Sequence, residues 1–340
     1  MEKQVMNNSM IQKVAVIGTG TLGVQIALMA SYYGGQAKTF DPDEKSFDRV
    51  LTVIRQRMAN AARKTLPPFE NLEEGARKIR RCASLGEAVA DAELVIEAVP
   101  ENIELKRKIF QQMDLLSPRE AILATNSSSI PVSKIESATN RPEKCLNMHF
   151  YSPDLGRNIV DLMGGSRTSK ETMEAGRRWI LAIGCVPLPV KKELLGFCFN
   201  RVWRAIKREA LHMWAGGHVD FRDIDRGYMI WNGVSQGPFA LMDQVGLDVV
   251  YGIEMVYYDE SKDPKDYPPD ALKKMIERNE LGVKTGKGFY TYPNERLYLH
   301  VLHRARPVHH GAGPCAKRAR EEDPAGAAPV PGQEEPEAGD

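Results

Sequence analysis

The sequence predicts an α/β domain built on a mostly parallel sheet, followed by an all-α domain, and three observations carry the prediction. A β-branched apolar run, Lys13-Val14-Ala15-Val16-Ile17, ends in Gly18-Thr19-Gly20-Thr21-Leu22-Gly23 and leads into an Ala-rich helical pattern. Short strand-like runs then alternate with helical ones as far as Val190, the signature of a parallel sheet covered by helices on both faces. From Gly196 onward strand patterns vanish and only helical periodicity remains, which marks a second domain.

The first strand, turn and helix carry G-x-G-x-x-G in its full context, and a second strand-like run closes on Thr39-Phe40-Asp41, eighteen positions after Gly23. This predicts a Rossmann-type dinucleotide-binding domain over 11–193. Gly18 allows the tight turn, Gly20 lets backbone approach a pyrophosphate, and Gly23 lets helix pack on strand. The phosphates are expected on the helix N-terminus at Thr21, Leu22 and Gly23, where unpaired amides and the helix dipole favour negative charge. Asp41 is suited to the ribose hydroxyls and repels a 2′-phosphate, so NAD is expected rather than NADP. A glycine-rich turn without a ligand is the competing reading.

Between residues 44 and 80 a polar helical pattern runs to about Leu66, halts at Pro67-Pro68 and resumes at 72–78, predicting a helical hairpin that stands off the sheet. Further strands are expected at 92–99, 121–125, 145–150, 159–162 and 185–190. The second domain, 194–293, has helical patterns at 200–215, 221–231, 239–258 and 271–278, then a Gly-rich turn into a short aromatic strand or loop at 282–290. From 294 to 340 the composition shifts to Arg, His, Ala, Pro and Gly, which cannot offset the entropy of ordering, and the tail is predicted to be disordered. Its abrupt onset suggests a segment foreign to the fold, such as a shifted reading frame. His309-His310 there reads as solvated tail rather than a metal pair.

Composition excludes several classes. The 46 Lys plus Arg against 45 Asp plus Glu give no basic field for nucleic acid. Cys82, Cys145, Cys185, Cys198 and Cys315 are scattered, without C-x-x-C or a completing His, so reduced thiols and no metal are expected. The first ten residues lack a secretory or transit pattern, and no apolar run approaches the roughly 20 residues of a membrane span. A cytoplasmic protein without a membrane partner is the expectation.

Reaction chemistry must come from residues outside the glycine turn. His149 stands at the carboxyl end of a strand-like run, and Asp161, twelve residues later, is expected at the end of another. A His held by a carboxylate has its tautomer fixed and its imidazolium stabilised, so it can take a proton from an alcohol while hydride leaves the same carbon. A structural histidine is the alternative.

Several segments resemble the 3-hydroxyacyl-CoA dehydrogenases, a family that includes bacterial 3-hydroxybutyryl-CoA dehydrogenases and the lambda-crystallin, or gulonate dehydrogenase, branch. They are Ile96-Glu97-Ala98-Val99-Pro100-Glu101-Asn102, Thr125-Asn126-Ser127-Ser128-Ser129, Met148-His149-Phe150-Tyr151-Ser152-Pro153, Gly196-Phe197-Cys198-Phe199-Asn200-Arg201, Asp223-Ile224-Asp225, Gly237-Pro238-Phe239 and Lys284-Thr285-Gly286-Lys287-Gly288-Phe289-Tyr290. The resemblance implies an NAD-dependent L-3-hydroxyacyl-CoA dehydrogenase, interconverting 3-hydroxyacyl-CoA and 3-ketoacyl-CoA. By it His149 is the catalytic base, Asp161 its partner, Ser128 the serine beside substrate and nicotinamide, and Asn200 the asparagine near the reacting oxygen. Glu97, Asn102 and Lys284 fall where the family meets the cofactor. Lys64 aligns with a lysine that meets coenzyme A, and Arg57 stands where the family has a serine. Arg55, Arg57, Arg63 and Lys64 are read either as a phosphate-holding surface or as a solvated basic face.

Two departures stand out. Asp161 is one methylene shorter than the family's Glu, so its contact with His149 is expected through a backbone shift, a water or a weaker geometry. Ser152 replaces an asparagine, and 154–158 replaces an apolar segment, with Arg157 either meeting a polar substrate tail or lying solvated. A homodimer through the helical domain is implied, with 202–213 and 239–256 as candidate interface segments. The rival readings are a dehydrogenase of a free 3-hydroxy acid such as gulonate, and a non-catalytic NAD-binding protein.

Overall fold

The structure, a computed structural model, describes residues 11–59 and 66–293. Lys64 and the tail from 294 onward therefore lie outside the described residues. The chain divides into two compact units, one ending at Leu211 and the other beginning at His212. The division falls within the helix Phe199–Ala215, beyond the expected 193/194, because hydrogen bonds from Cys198 and Asn200 tie the start of that helix to the sheet.

The first unit is an eight-stranded sheet: β1 (Lys13–Ile17), β2 (Gln36–Phe40), β3 (Arg80–Arg81), β4 (Leu94–Glu97), β5 (Ile122–Thr125), β6 (Cys145–Phe150), β7 (Ile159–Gly164) and β8 (Val186–Val190). Their order is β3-β2-β1-β4-β5-β6-β7-β8, and every neighbouring pair is parallel except β6 and β7. Residues 151–158 are too few for a parallel crossover, which takes a dozen or more, so β7 returns antiparallel. Pro187 and Pro189 sit in β8 at the sheet's edge, where a missing amide donor costs least. The two-residue β3 has no period of its own and carries no sequence signal.

Helix α1 (Thr21–Tyr32) is buried without interruption from Gly23 to Ser31. Sheet residues cover one side of it, and α2 (Ser46–Ala59), α3 (Pro67–Glu70) and α4 (Leu72–Lys78) cover the other. The helices of the expected hairpin, whose residues 60–65 lie outside the described residues, are packed on α1. Phe47, Leu51 and Ile54 join the same core as Val14 and Leu28, and the Ser31 hydroxyl donates to the Gly75 carbonyl at 3.2 Å. The polar pattern hid this because three apolar residues one turn apart are enough to seat a helix. The opposite face of the sheet is covered by α5 (Leu85–Val89) and α6 (Ile103–Leu116), whose Phe110 and Met113 pack with Ile17, Val95 and Leu123. Helix α7 (Lys170–Ala182) packs on β6, β7 and β8.

Helix α8 (Phe199–Ala215) carries its last turn into the second unit, which adds α9 (Phe221–Asn232), α10 (Pro238–Val245), α11 (Leu247–Ser261) and α12 (Asp270–Glu277). The expected helix over 239–258 is two helices, split at Gly246, whose φ of 100° leaves the helical region. Two buried carboxylates organise this unit. Asp225 accepts from the Phe239 and Ala240 amides and the Tyr290 hydroxyl, and Asp243 accepts from the Phe289 and Tyr290 amides and the Tyr292 hydroxyl. A Cβ on Gly288 would stand 2.1 Å from Asp243 Oδ1, so that position admits only glycine. Trp214, Phe239 and Phe289 pack edge to face around these anchors, with Phe221 tilted against Phe239. Among the described residues no helix is long and apolar enough to cross a membrane.

Candidate active site

The glycine turn joins β1 to α1 as the fingerprint requires. Gly18 has φ +99°, and a Cβ there would stand 2.6 Å from the Ala98 carbonyl oxygen. A Cβ on Gly23 would stand 1.9 Å from the Gly18 carbonyl oxygen, whereas one on Gly20 would meet nothing within 4 Å. The first and third glycines are therefore demanded by packing, and the second opens on free space. Gly20 is the N-cap of α1 and offers no side chain to its first-turn amides, with Thr21 exposed and Leu22 half-buried beside it. Thr19 Oγ1 is buried at the same turn with no partner among the described residues. At the end of β2, Asp41 accepts from the Thr19 amide at 2.7 Å and from the Asp43 amide at 2.9 Å, which fixes its carboxylate next to the turn. Uncapped amides, an open glycine and a fixed carboxylate fit a dinucleotide.

Other residues implied by the resemblance have other partners. Glu97 is fully buried, accepting from Lys106 Nζ, the Val99 amide and the Thr125 hydroxyl, each at 2.7 Å, so it presents no oxygen to a ligand. Asn102 caps α6 by accepting from the Leu105 amide at 2.9 Å. Ser128 is exposed in the turn after β5, between Ser127 and Ser129, whose hydroxyls both donate to Glu101. Lys284, in the second unit, is ion-paired to Asp248 at 2.5 Å. Arg57 donates to Asp154 at 2.9 Å and Arg55 to Glu73 at 2.5 Å, so these two cations of the expected basic surface face acids of the first unit.

His149 lies at the carboxyl end of β6 and is 5% exposed. In the antiparallel pair its Cα partner is Asp161, which places both side chains on one face of the sheet. Asp161, expected at the end of its strand, is instead mid-strand, because β7 runs on to Gly164, and it is fully buried. Its Oδ2 stands 3.4 Å from His149 Nδ1, the weak geometry expected of the shorter acid, and its Oδ1 accepts from the Cys198 amide at 3.4 Å. Phe197, with φ 52°, stacks on the imidazole at 5.2 Å between ring centres. Asn200 begins α8, and its amide donates to the Tyr151 hydroxyl at 3.2 Å.

Two residues here escaped the sequence reading. Tyr151, the first residue past the end of β6, donates to Asp161 Oδ2 at 2.5 Å. Asp154, fully buried, receives Arg57 on Oδ2, has no partner on Oδ1 among the described residues, and donates its amide to Gln25 at 3.2 Å. No period or motif announces it. Of the nearby cysteines, burial pushes the Cys145 thiol up to about 12, which makes it inert, while Cys198 is exposed. Among the described residues no group of three or more His, Cys, Asp or Glu is arranged to hold a metal ion.

A family model for the 3-hydroxyacyl-CoA dehydrogenase NAD binding domain matches residues 13–194, and one for the C-terminal domain of the same family matches 196–292. A 3-hydroxybutyryl-CoA dehydrogenase of Clostridioides difficile is 32% identical over 82% of this chain and 99% of its own. A 5-formyl-3-hydroxy-2-methylpyridine 4-carboxylate 5-dehydrogenase of Mesorhizobium japonicum is 30% identical over 88% of this chain and 96% of its own. The crystal structure of (S)-3-hydroxybutyryl-CoA dehydrogenase PaaH1 from Ralstonia eutropha is similar with a TM-score of 0.73 at 30% identity, covering 84% of this chain and 100% of that one. The chain belongs to the 3-hydroxyacyl-CoA dehydrogenase family, NAD-dependent oxidoreductases that act on CH–OH groups.

Proposed function

We propose that the chain is an L-3-hydroxyacyl-CoA dehydrogenase in which His149 removes the hydroxyl proton as C3 gives up hydride. The observation that carries this is His149 at the carboxyl end of β6, where ligands of open α/β sheets bind, directly opposite the buried Asp161. NAD held by Gly18, Gly20, Thr21, Leu22, Gly23 and Asp41 supplies the hydride acceptor. Nδ1 faces Asp161, so Nε2 takes the proton and the carboxylate supports the imidazolium that results. We assign the Ser128 hydroxyl and the Asn200 side chain to the substrate oxygen, and Lys64 to coenzyme A; in reduction His149 returns the proton. The 3-hydroxybutyryl-CoA dehydrogenases among the relatives support this substrate class. We assign the chain to the cytoplasm on its scattered cysteines, and to a homodimer on the apolar stripe of α11.

One observation favours a second reading, a free carboxylated 3-hydroxy acid as substrate. Arg57 and Arg55 are ion-paired to Asp154 and Glu73, and the Mesorhizobium japonicum relative is named for a pyridine carboxylate. NADH oxidation with acetoacetyl-CoA and with free acetoacetate at equal concentration separates the two. Turnover of the thioester, lost in His149→Gln while NADH still binds, is expected; turnover of the free acid alone moves the second reading ahead, and an undiminished His149→Gln rate removes His149 as base.

A further inference from the structure

Asp161 stands directly across from His149 in the β6–β7 register, and Tyr151, the first residue past the end of β6, turns its side chain to the same Asp161 oxygen. Its hydroxyl reaches Asp161 Oδ2 at 2.5 Å, while His149 Nδ1 stands at 3.4 Å from the same oxygen, outside the ~2.7–3.2 Å of a good N–H···O bond. The Asn200 amide, which can only donate, occupies the hydroxyl's acceptor side, so the phenolic proton is directed to Asp161. Burial first, then the hydrogen bond to Asp161 and its charge, raise the phenol's pKa far above its ordinary value, so it stays a donor throughout the working range of pH. The ring packs edge-on against His149 at 4.4 Å and against Phe199 at 5.6 Å, which fixes its direction.

We propose that Tyr151 is a positioning residue for His149: locked by the Asn200 amide, its hydroxyl holds Asp161 Oδ2 and shares that oxygen's charge with the imidazole. A carboxylate oxygen already bound to a strong donor stabilises a second cation less. Tyr151 thereby keeps the imidazole from being held protonated by its own partner, which suits a group that must begin oxidation neutral. Among the described residues the titratable side chains bonded to Asp161 are His149 and Tyr151, from β6 and its end; Cys198, before α8, meets it through its backbone amide, and its partner in β8 is the uncharged Leu188.

The proposal concerns the site of the function proposed above, but its test requires no turnover. The His149 imidazole is followed by NMR against pH in the wild type, Tyr151→Phe, Asp161→Asn and the double variant, with the His149→Gln spectrum assigning the signal. Phe keeps the ring and its packing and removes only the hydroxyl. Tyr151→Phe is expected to move the midpoint upward by about half a unit, because the whole carboxylate then faces the imidazole. In the Asp161→Asn background the same change is expected to move nothing, which a merely structural role would not predict. A midpoint that stays or falls in Tyr151→Phe, or an equal rise in both backgrounds, overturns the proposal. In an active enzyme the acid limb of the oxidation rate shifts by the same amount. A chain that turns over no 3-hydroxy substrate still yields the titration, so the two failures are separate.

Discussion

A single carboxylate decides how the loop after β6 is held. Asp154 is fully buried, with Arg57 on one oxygen and no partner among the described residues on the other, while the Arg57 side chain is 41% exposed. Removing the cation leaves a buried charge uncompensated, so Arg57→Ala is expected to cost about 2 kcal/mol, discounted for the solvent that screens the arginine. Chemical denaturation reads that loss. Kinetics read the role: an anchor for the loop raises KM for thioester and free acid alike, whereas a selective rise for the thioester would return Arg57 to coenzyme A. The sequence reading left Arg57 between a phosphate-holding surface and a solvated face, because helix spacing shows which cations share a face, not which acid ninety-seven residues later meets them. His149 drew attention because strand ends concentrate chemistry, whereas Asp161, mid-strand in β7, was tied to it by the resemblance, and their facing positions follow from the β6–β7 register. Tyr151 stood two residues from His149 in a quoted motif, yet only the β6–β7 register brings its hydroxyl to Asp161.

At the scale of elements, strands were read best where each was a compact apolar run between turns, as β6 was, and worst where two residues sufficed, as in β3. The antiparallel turn of β7 was not visible in its own residues, since direction depends on the length of the connection before it. Helix α1 looked like any Ala-rich helix, but its burial on all sides follows from the helices laid over it. Glu97 shows how a motif residue can serve an element. It is 0% and Lys106 1% exposed at the side chain, and their 2.7 Å ion pair ties α6 to the end of β4 while the same carboxylate holds Thr125 of β5. Lys106→Met would leave that carboxylate buried and unpaired, at a cost of about 3–5 kcal/mol, enough to lower the unfolding midpoint sharply. Glu97→Gln with Lys106→Met is expected to recover part of the loss; an unchanged midpoint in Lys106→Met would falsify the role given to the pair.

For the whole molecule, the motifs of the second unit turn out to serve architecture: Asp225 receives the start of α10, and Asp243 receives the Gly288 to Tyr292 turn. That unit exposes several large apolar side chains, Ile230 and Trp231 on α9 among them, and three others line up as a stripe on α11. Val249, Ile253 and Val256 on α11 are 45%, 39% and 44% exposed, and Gly252 between them has open space where a Cβ would stand. Their i, i+4, i+7 spacing lines one face of the helix, and the glycine lets another backbone come close. We infer that α11 packs against its copy in a second chain. A two-fold interface meets each residue twice, so a charge placed there acts in both copies. Ile253→Glu removes about 2 kcal/mol of burial per chain, or about 4 per dimer, and weakens association about a thousandfold. Light scattering after size exclusion should then find a dimer for the wild type and a monomer for the variant at micromolar concentration. A wild-type monomer, or a variant that stays dimeric, would remove α11 from the interface and leave its stripe as ordinary exposed surface.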